Sequence, residues 1–289
     1  MKRFITRLRA SFKTKALVTS MRLNVAPTTS HCALVDPTAS PTWPMFAVLA
    51  PDGRTTLEED TPHVPPHDLS LAMYRMMVRV QELDGIFFQA QRQGCISFYM
   101  TSAGEEGLQV GSSAALTLDD TIFAQYREVG VLLFRGFTLQ QVADQCCSNV
   151  DDVGKGRQMP IHYGSKSLNF HTISSPLGTQ IPQAVGAAYA LKMDGKQAVA
   201  VAYFGEGAAS EGDFHAGLNM AATLEAPVLF FCRNNGYAIS TPAWEQYRGD
   251  GIVSRAAGYG IHAIRVDGND AFAVYAAVRA ARQMAVETR

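Results

Sequence analysis

Ala198-Val199-Ala200-Val201-Ala202-Tyr203-Phe204 runs straight into Gly205-Glu206-Gly207-Ala208-Ala209-Ser210-Glu211-Gly212-Asp213. The first seven residues form a strand-like apolar run. From about Glu211 to Leu224 the chain reads as a helix. A second strand-like run, Val228-Leu229-Phe230-Phe231-Cys232, then leads into Arg233-Asn234-Asn235-Gly236-Tyr237. An acidic residue and an asparagine therefore sit just past the ends of two strands joined by a helix. In a parallel sheet those ends face one crevice, and ligands bind there.

The chemistry this pattern supports is diphosphate binding through a metal. Glu206 offers a carboxylate and Asn235 an amide oxygen. Hard cations such as Mg2+ take oxygen ligands and share them with phosphate and water. Gly205 and Gly207 let the backbone turn sharply and approach a phosphate. The following helix directs its N-terminal N–H groups to the same place. Gly-Glu-Gly alone is no more than a strand-to-helix turn with an acidic residue. The second strand, ending in Asn-Asn at matching distance, is what favours the metal reading.

Working outward, Asp68 to about Gln93 reads as a long helix. Leu71, Tyr74, Met77, Val78, Leu83 and Phe87 recur at threes and fours, and Gly94 ends the run. Met73, Met76 and Met77 at helical spacing point to core packing. A second helix is expected from about Glu105 to Leu116, then a strand from Thr121 to Tyr126. Thr138 begins a helix from Leu139 to Cys147. Gly154 to Ser175 is irregular, and loops of that length are often functional. Ile181 to Leu191 reads as an Ala-rich helix. A loop from Asn234 to about Gly251, a strand from Ile261 to Val266 and a final helix from Asp270 complete the chain. Strands alternating with helices imply an α/β fold with a mainly parallel sheet flanked by helices.

The composition excludes several classes of protein. Hydrophobic residues make up 47% and charged residues 18%, so a large core is available. A net charge of −1 does not point to nucleic acid. No apolar run reaches the ~18 residues of a membrane span. The charge is unevenly placed, however. Lys2, Arg3, Arg7, Arg9, Lys13, Lys15 and Arg22 precede the first acid, Asp36, which leaves 18 basic against 26 acidic residues beyond them. A basic, Ser/Thr-containing, acid-free segment with Phe4, Ile5, Leu8 and Phe12 on one helical face has the composition of a mitochondrial transit peptide, expected over residues 1–35. Residues 36–67, rich in Pro and Thr, are expected to form an extended arm, followed by the main domain over 68–289. The five cysteines are scattered without Cys-x-x-Cys spacing, which fits reduced thiols.

A resemblance carries the reading further. Phe204 to Gly251 resembles the thiamine-diphosphate-binding region of the α subunits of branched-chain 2-oxo acid dehydrogenases, the E1 decarboxylase component. The likeness extends to Gln91-Arg92-Gln93-Gly94, Ile96-Ser97-Phe98-Tyr99-Met100-Thr101 and Gly104-Glu105-Glu106-Gly107. It continues through Gln125-Tyr126-Arg127-Glu128, Gly154-Lys155-Gly156-Arg157-Gln158-Met159-Pro160, Ile173-Ser174-Ser175-Pro176-Leu177 and Arg265-Val266-Asp267-Gly268-Asn269-Asp270. It spans about Leu69 to the end of the sequence. Pyruvate-specific relatives usually carry Gly-Asp-Gly where this chain has Gly205 to Gly207.

The resemblance implies a thiamine-diphosphate-binding fold and a set of site residues. Tyr126, Arg127, Ser175, Leu177, Gly207, Ala208 and Arg233 would contact the cofactor. Glu206, Asn235 and the carbonyl of Tyr237 would hold Mg2+. Ser174, Pro176, Thr179 and Gln180 resemble a loop that holds K+. In that loop Gly178 replaces the relatives' usual Ala, which should loosen it. From the residues alone, Arg127 could equally be an arginine in a surface ion pair with Glu128. Glu105 and Glu106 read as acids favoured by a helix dipole rather than as acid–base catalysts. Lys155-Gly156-Arg157, near His162, reads as a loop lining the entrance.

The activity implied is oxidative decarboxylation of branched-chain 2-oxo acids, with acyl transfer to the lipoyl domain of the E2 core. The implied partner is a β subunit in an α2β2 heterotetramer, and the implied compartment is the mitochondrial matrix. The family's active-site histidine lies in a loop that falls beyond Arg289, so no catalytic residue is assigned here. Three expectations follow. The sequence is a portion of a complete α subunit, or a non-catalytic paralogue that binds the β subunit or cofactor, or a pyruvate- or acetoin-type α subunit. The intact metal and diphosphate residues favour the first.

Overall fold

The computed structural model describes residues 42–50, 52–55 and 64–288. The proposed transit segment and part of the arm, residues 36–41, 51 and 56–63, lie outside them. Near the start, β1 (Met45–Phe46) precedes the long helix α1 (His67–Arg92). Next come α2 (Glu106–Ala114), β2 (Thr121–Phe123), α3 (Val129–Phe134) and α4 (Leu139–Cys146). The centre of the fold is α5 (Gln180–Met193), β3 (Ala200–Gly205), α6 (Gly212–Leu224) and β4 (Val228–Arg233). Two short strands follow, β5 (Tyr237–Ala238) and β6 (Thr241–Pro242), with the one-turn helices α7 (Ala243–Gln246) and α8 (Ala256–Tyr259). The last elements are β7 (Arg265–Val266) and α9 (Ala271–Glu287).

β2, β3 and β4 form a parallel sheet in that order, with β3 in the middle. The central strand explains its own sequence. Successive side chains of a strand point to opposite faces. Val199, Val201 and Tyr203 enter one core with Val80, Leu83, Phe87, Leu132 and Val274. Ala200, Ala202 and Phe204 enter another with Ile181, Ala184, Phe214 and Leu218. A strand with helices on both faces needs apolar residues at every position, so no alternation survives. Small residues permit close layering. A Cβ on Gly217 of α6 would come within 2.7 Å of the Ile181 side chain, and one on Gly111 of α2 within 2.6 Å of the Ala271 carbonyl of α9.

Caps match the sequence signals. Thr138 and Gln141 form a reciprocal capping box at α4. Asp270 caps α9 by accepting from the N–H groups of Phe272 and Ala273. Its other oxygen accepts from Val48 and Leu49, both at 2.6 Å, and so secures the segment around β1.

Three expectations are corrected, and one helix is added. α1 buries Met73, Val80, Leu83, Asp84 and Phe87, while Leu71, Tyr74 and Val78 are exposed. Leu83 and Phe87 are buried as the periodicity predicts, but apolar residues also occur on the other face of α1, so periodicity misplaced Leu71, Tyr74 and Val78. The strand expected over 261–266 is confined to Arg265–Val266, because its partner is the two-residue β1 rather than the central sheet. The strand expected to reach Tyr126 stops at Phe123. The helix α3 was not anticipated, since Val129 to Leu133 are buried all round and show no polar period.

Candidate functional site

Residue-by-residue pairing between β3 and β4 places Gly205 opposite Arg233. The chain therefore leaves both strands at the same edge. Glu206 follows on one side and Asn234-Asn235 on the other. Glu206 N–H donates to the Arg233 carbonyl at 3.2 Å, extending the ladder by one bond. Gln125, just beyond β2, closes the edge by accepting from Gly205 N–H through its side-chain oxygen at 2.8 Å.

Glu206 is 1% exposed, and its Oε1 has no hydrogen-bond partner. Burial pushes the carboxyl above its ordinary value. The backbone N–H groups of Glu206 and Asn235, the Arg233 charge and the Gln246 amide pull the other way. A buried, unsatisfied carboxylate oxygen costs free energy unless a cation or proton meets it. Asn235 lies beside it and accepts from Tyr237 N–H through Oδ1 at 3.1 Å. Glu206 and Asn235, separate in the sequence, thus lie together, and Tyr237 is tied to Asn235. Among the described residues, no three His, Cys, Asp or Glu side chains gather as metal ligands. A divalent cation here would rely on one carboxylate with amide and carbonyl oxygens, a hard-oxygen set suited to Mg2+. The residues fit that ion.

Gly207 is required, but for a reason different from the one read in the sequence. Its φ of −64° is open to any residue. A Cβ there would meet the Ala238 Cβ at 2.6 Å, so the β5 loop rests directly on it. Gly205 has no such constraint; its nearest neighbours would be 3.9 Å and 4.0 Å away. Ala208, next in line, is buried.

Arg233 is 2% exposed and sits between two carboxylates. Nε donates to Glu128 Oε1 at 2.5 Å, and Nη1 donates to Glu105 Oε2 at 2.8 Å. Burial would lower its pKa, but the two carboxylates outweigh burial and raise it above the ordinary arginine value. The structure therefore commits these donors to the protein interior. It also overturns one sequence reading. Glu128 does not pair with Arg127 at the surface; it is fully buried and holds Arg233. Glu105 stands at the N-terminus of α2, as read from the sequence, but turns inward. It makes no capping bond, is 7% exposed, and also accepts from Asn235 Nδ2 at 3.0 Å. The sequence carried a signal for this network, the nearness of both glutamates to family-like motifs, but nothing that paired them.

Arg127 donates to the Thr101 carbonyl at 2.5 Å and lies over the Tyr126 ring at 5.7 Å. Both residues are half-buried, and neither bonds directly to the Glu206 cluster. In the turn before α5, Ser175 Oγ pairs with His162 Nε2 at 2.8 Å, and His162 Nδ1 lies 3.1 Å from the Pro160 carbonyl. A ring nitrogen facing a carbonyl must carry the proton, so Nε2 accepts from the Ser175 hydroxyl. His162 thus belongs with Ser175, a link that the sequence did not reveal. Leu177 is 40% exposed. Thr179 Oγ1 donates to the Pro176 carbonyl at 3.2 Å, and Gln180 Nε2 donates to the Tyr203 carbonyl at 3.0 Å, tying this turn to β3. Ser174 is half-buried in the same turn. Gly178 has φ +83°, with Glu211 Cβ 3.1 Å from where its own Cβ would be. The glycine lets the turn adopt a left-handed conformation that a side chain would strain.

Residues 74–289 match the dehydrogenase E1 component family. The chain is 57% identical over 259 residues to the mitochondrial 2-oxoisovalerate dehydrogenase subunit alpha 1 of Arabidopsis thaliana, covering 89% of this chain and 54% of that protein. It is 58% identical over 243 residues to the Homo sapiens mitochondrial 2-oxoisovalerate dehydrogenase subunit alpha, covering 84% and 54%. The Dictyostelium discoideum counterpart is 54% identical over 245 residues, covering 84% and 55%. The chain thus spans about half the length of the curated relatives it matches.

Proposed function

Because this chain belongs to the dehydrogenase E1 component family, we propose that it holds the diphosphate and metal in the α subunit of a branched-chain 2-oxo acid dehydrogenase. The observation that carries this reading is the buried Glu206 with its unpartnered Oε1, aligned by strand register beside Asn235. In this reading Glu206, Asn235 and the Tyr237 carbonyl hold Mg2+. Tyr126, Arg127, Ser175, Leu177, Gly207, Ala208 and Arg233 shape the place for thiamine diphosphate. Ser174, Pro176, Thr179 and Gln180 hold K+. Bound thiamine diphosphate would supply the electron sink for decarboxylation of the 2-oxo acid. The protein's part is to hold and orient. The strand ends fix the ligand positions, the Arg233 network stiffens them, and Gly207 allows the β5 loop to close down on the turn.

Exposed apolar side chains around this site, Leu177, Tyr237, Ile239 and Trp244, support a covering partner, proposed as the β subunit of an α2β2 heterotetramer. The acyl product would pass to the lipoyl domain of the E2 core. The relatives' printed names and the basic N-terminal composition support the mitochondrial matrix as the compartment.

The test is reconstitution with a β subunit, thiamine diphosphate and Mg2+, followed by decarboxylation of 2-oxoisovalerate with an artificial electron acceptor. Turnover that prefers 2-oxoisovalerate to pyruvate is expected. Cofactor binding without turnover would instead establish a non-catalytic paralogue, and a preference for pyruvate would establish a pyruvate-type subunit.

A further inference from the structure

Glu105 divides its carboxylate between two donors. Oε2 takes Arg233 Nη1 at 2.8 Å and Oε1 takes Asn235 Nδ2 at 3.0 Å. An ionised carboxylate has acceptors only, so it determines which branch of the Asn235 amide faces it. The Tyr237 N–H, 3.1 Å from Asn235 Oδ1, enforces the same sense from the opposite branch. An amide oxygen has two lone pairs, so one remains after the Tyr237 bond. Asn235 without these partners could present either its oxygen or its NH2 group, and only the oxygen can serve a cation.

The geometry points to Glu105 as a positioning residue, which holds the Asn235 amide so that its oxygen is the branch offered to a divalent cation at Glu206. This rests on the metal reading above. Arg233 and Glu128 complete the device. Arg233 pins the second oxygen of Glu105 and is itself fixed by Glu128, which is anchored in turn by Gln125 N–H at 2.9 Å. The simpler role, in which Glu105 only balances the Arg233 charge, makes a different prediction.

Glu105→Gln separates the two roles. Its side-chain oxygen can still accept from Arg233, but its NH2 then meets Asn235 and turns the Asn235 amide over. Adding Asn235→Asp restores an acceptor on both branches and returns the summed charge of the two positions to its original value. The probe is Mn2+ with thiamine diphosphate on the full 289-residue chain. Affinity is read by calorimetry, bound Mn2+ by electron paramagnetic resonance, and folding by circular dichroism. Orienting partners of metal ligands typically contribute about 10–100-fold to affinity, and Glu105→Gln is expected to lose that much, with most of it recovered in the double variant.

Unchanged Mn2+ affinity in Glu105→Gln overturns the proposal. So does a double variant as weak as Glu105→Gln, since an acceptor restored on both branches should return an oxygen to the cation. If Glu206→Ala loses the ion while Glu105→Gln keeps it, only the positioning role fails. If wild type and Glu206→Ala bind alike or not at all, the metal reading fails and takes this proposal with it. Should Glu105→Gln not fold, Glu105→Asp decides. It keeps the charge beside Arg233 but is one methylene shorter and no longer spans to Asn235, so the proposal requires it to bind Mn2+ more weakly. Unchanged affinity overturns it.

Discussion

Replacing Arg233 with methionine would leave Glu105 and Glu128 in the interior with no counter-charge. The two carboxylates are 7% and 0% exposed, so water cannot take over the guanidinium's role. Removing one partner of a buried ion pair costs about 3–5 kcal/mol, chiefly from the charge left behind. Methionine keeps most of the side-chain volume, so the cavity contribution is small and the upper half of that range is not required. For a protein of this size about 1 kcal/mol lowers Tm by roughly 2–4 °C, so a loss of about 4 kcal/mol corresponds to roughly 8–16 °C. The effect depends on pH with a definite sign. Protonation discharges the stranded carboxyls, so the folded variant gains from binding protons there and its deficit against wild type narrows from pH 7 towards pH 5. Adding Glu128→Gln to Arg233→Met should recover part of the loss at pH 7. Thermal unfolding of the full chain at both pH values measures all three effects. A deficit below about 1 kcal/mol, no larger than the effect of an exposed ion pair, or a deficit equal at pH 7 and pH 5, would refute the reasoning.

Burial raises the Glu206 pKa, so the folded, metal-free chain binds that proton more tightly than the unfolded chain. The associated stability is present below the unfolded value and is lost as pH rises through the folded one. Metal-free Glu206→Gln should therefore be more stable than wild type at pH 7, with the gap closing in acid, and should lose Mg2+-dependent cofactor binding in calorimetry. Gly207→Ala forces a Cβ to within 2.6 Å of Ala238 and should cost about 1–3 kcal/mol in urea unfolding. Gly205→Ala, whose nearest neighbours are 3.9 Å away, should instead stabilise by about 0.4–1 kcal/mol. Asp270→Ala removes the α9 cap, worth about 0.5–2 kcal/mol. The same change removes the bonds to Val48 and Leu49, so limited proteolysis should cut near residues 42–50 sooner than in wild type.

What could be read from residues in order was local. The apolar run into Gly205 gave the buried strand, because a strand covered on both faces has no polar alternation to obscure it. The capping box at Thr138 and the aspartate before α9 marked their helices through bonds spanning two or three residues. The two strand ends placed Glu206 and Asn235 at one edge, since parallel strands joined by a helix must finish on the same side. The buried face of α1 was legible only in part, through Met73, Leu83 and Phe87, because apolar residues occur all round that helix and only its neighbours select a face. Nor was α3, a six-residue helix with no exposed side to impose a period.

The ionic network belongs wholly to the tertiary structure. Arg233 meets Glu128 across 105 residues and Glu105 across 128. Read as neighbours in sequence, Glu128 belonged with Arg127, and Glu105 was only an acid at the start of α2. Folding gives both glutamates to Arg233, because a guanidinium buried at the end of β4 must find acceptors and these two reach it. The sequence by itself determined which oxygen atoms could face a cation. Only the packing of α2, the turn before α3 and the end of β4 decided what holds them in place.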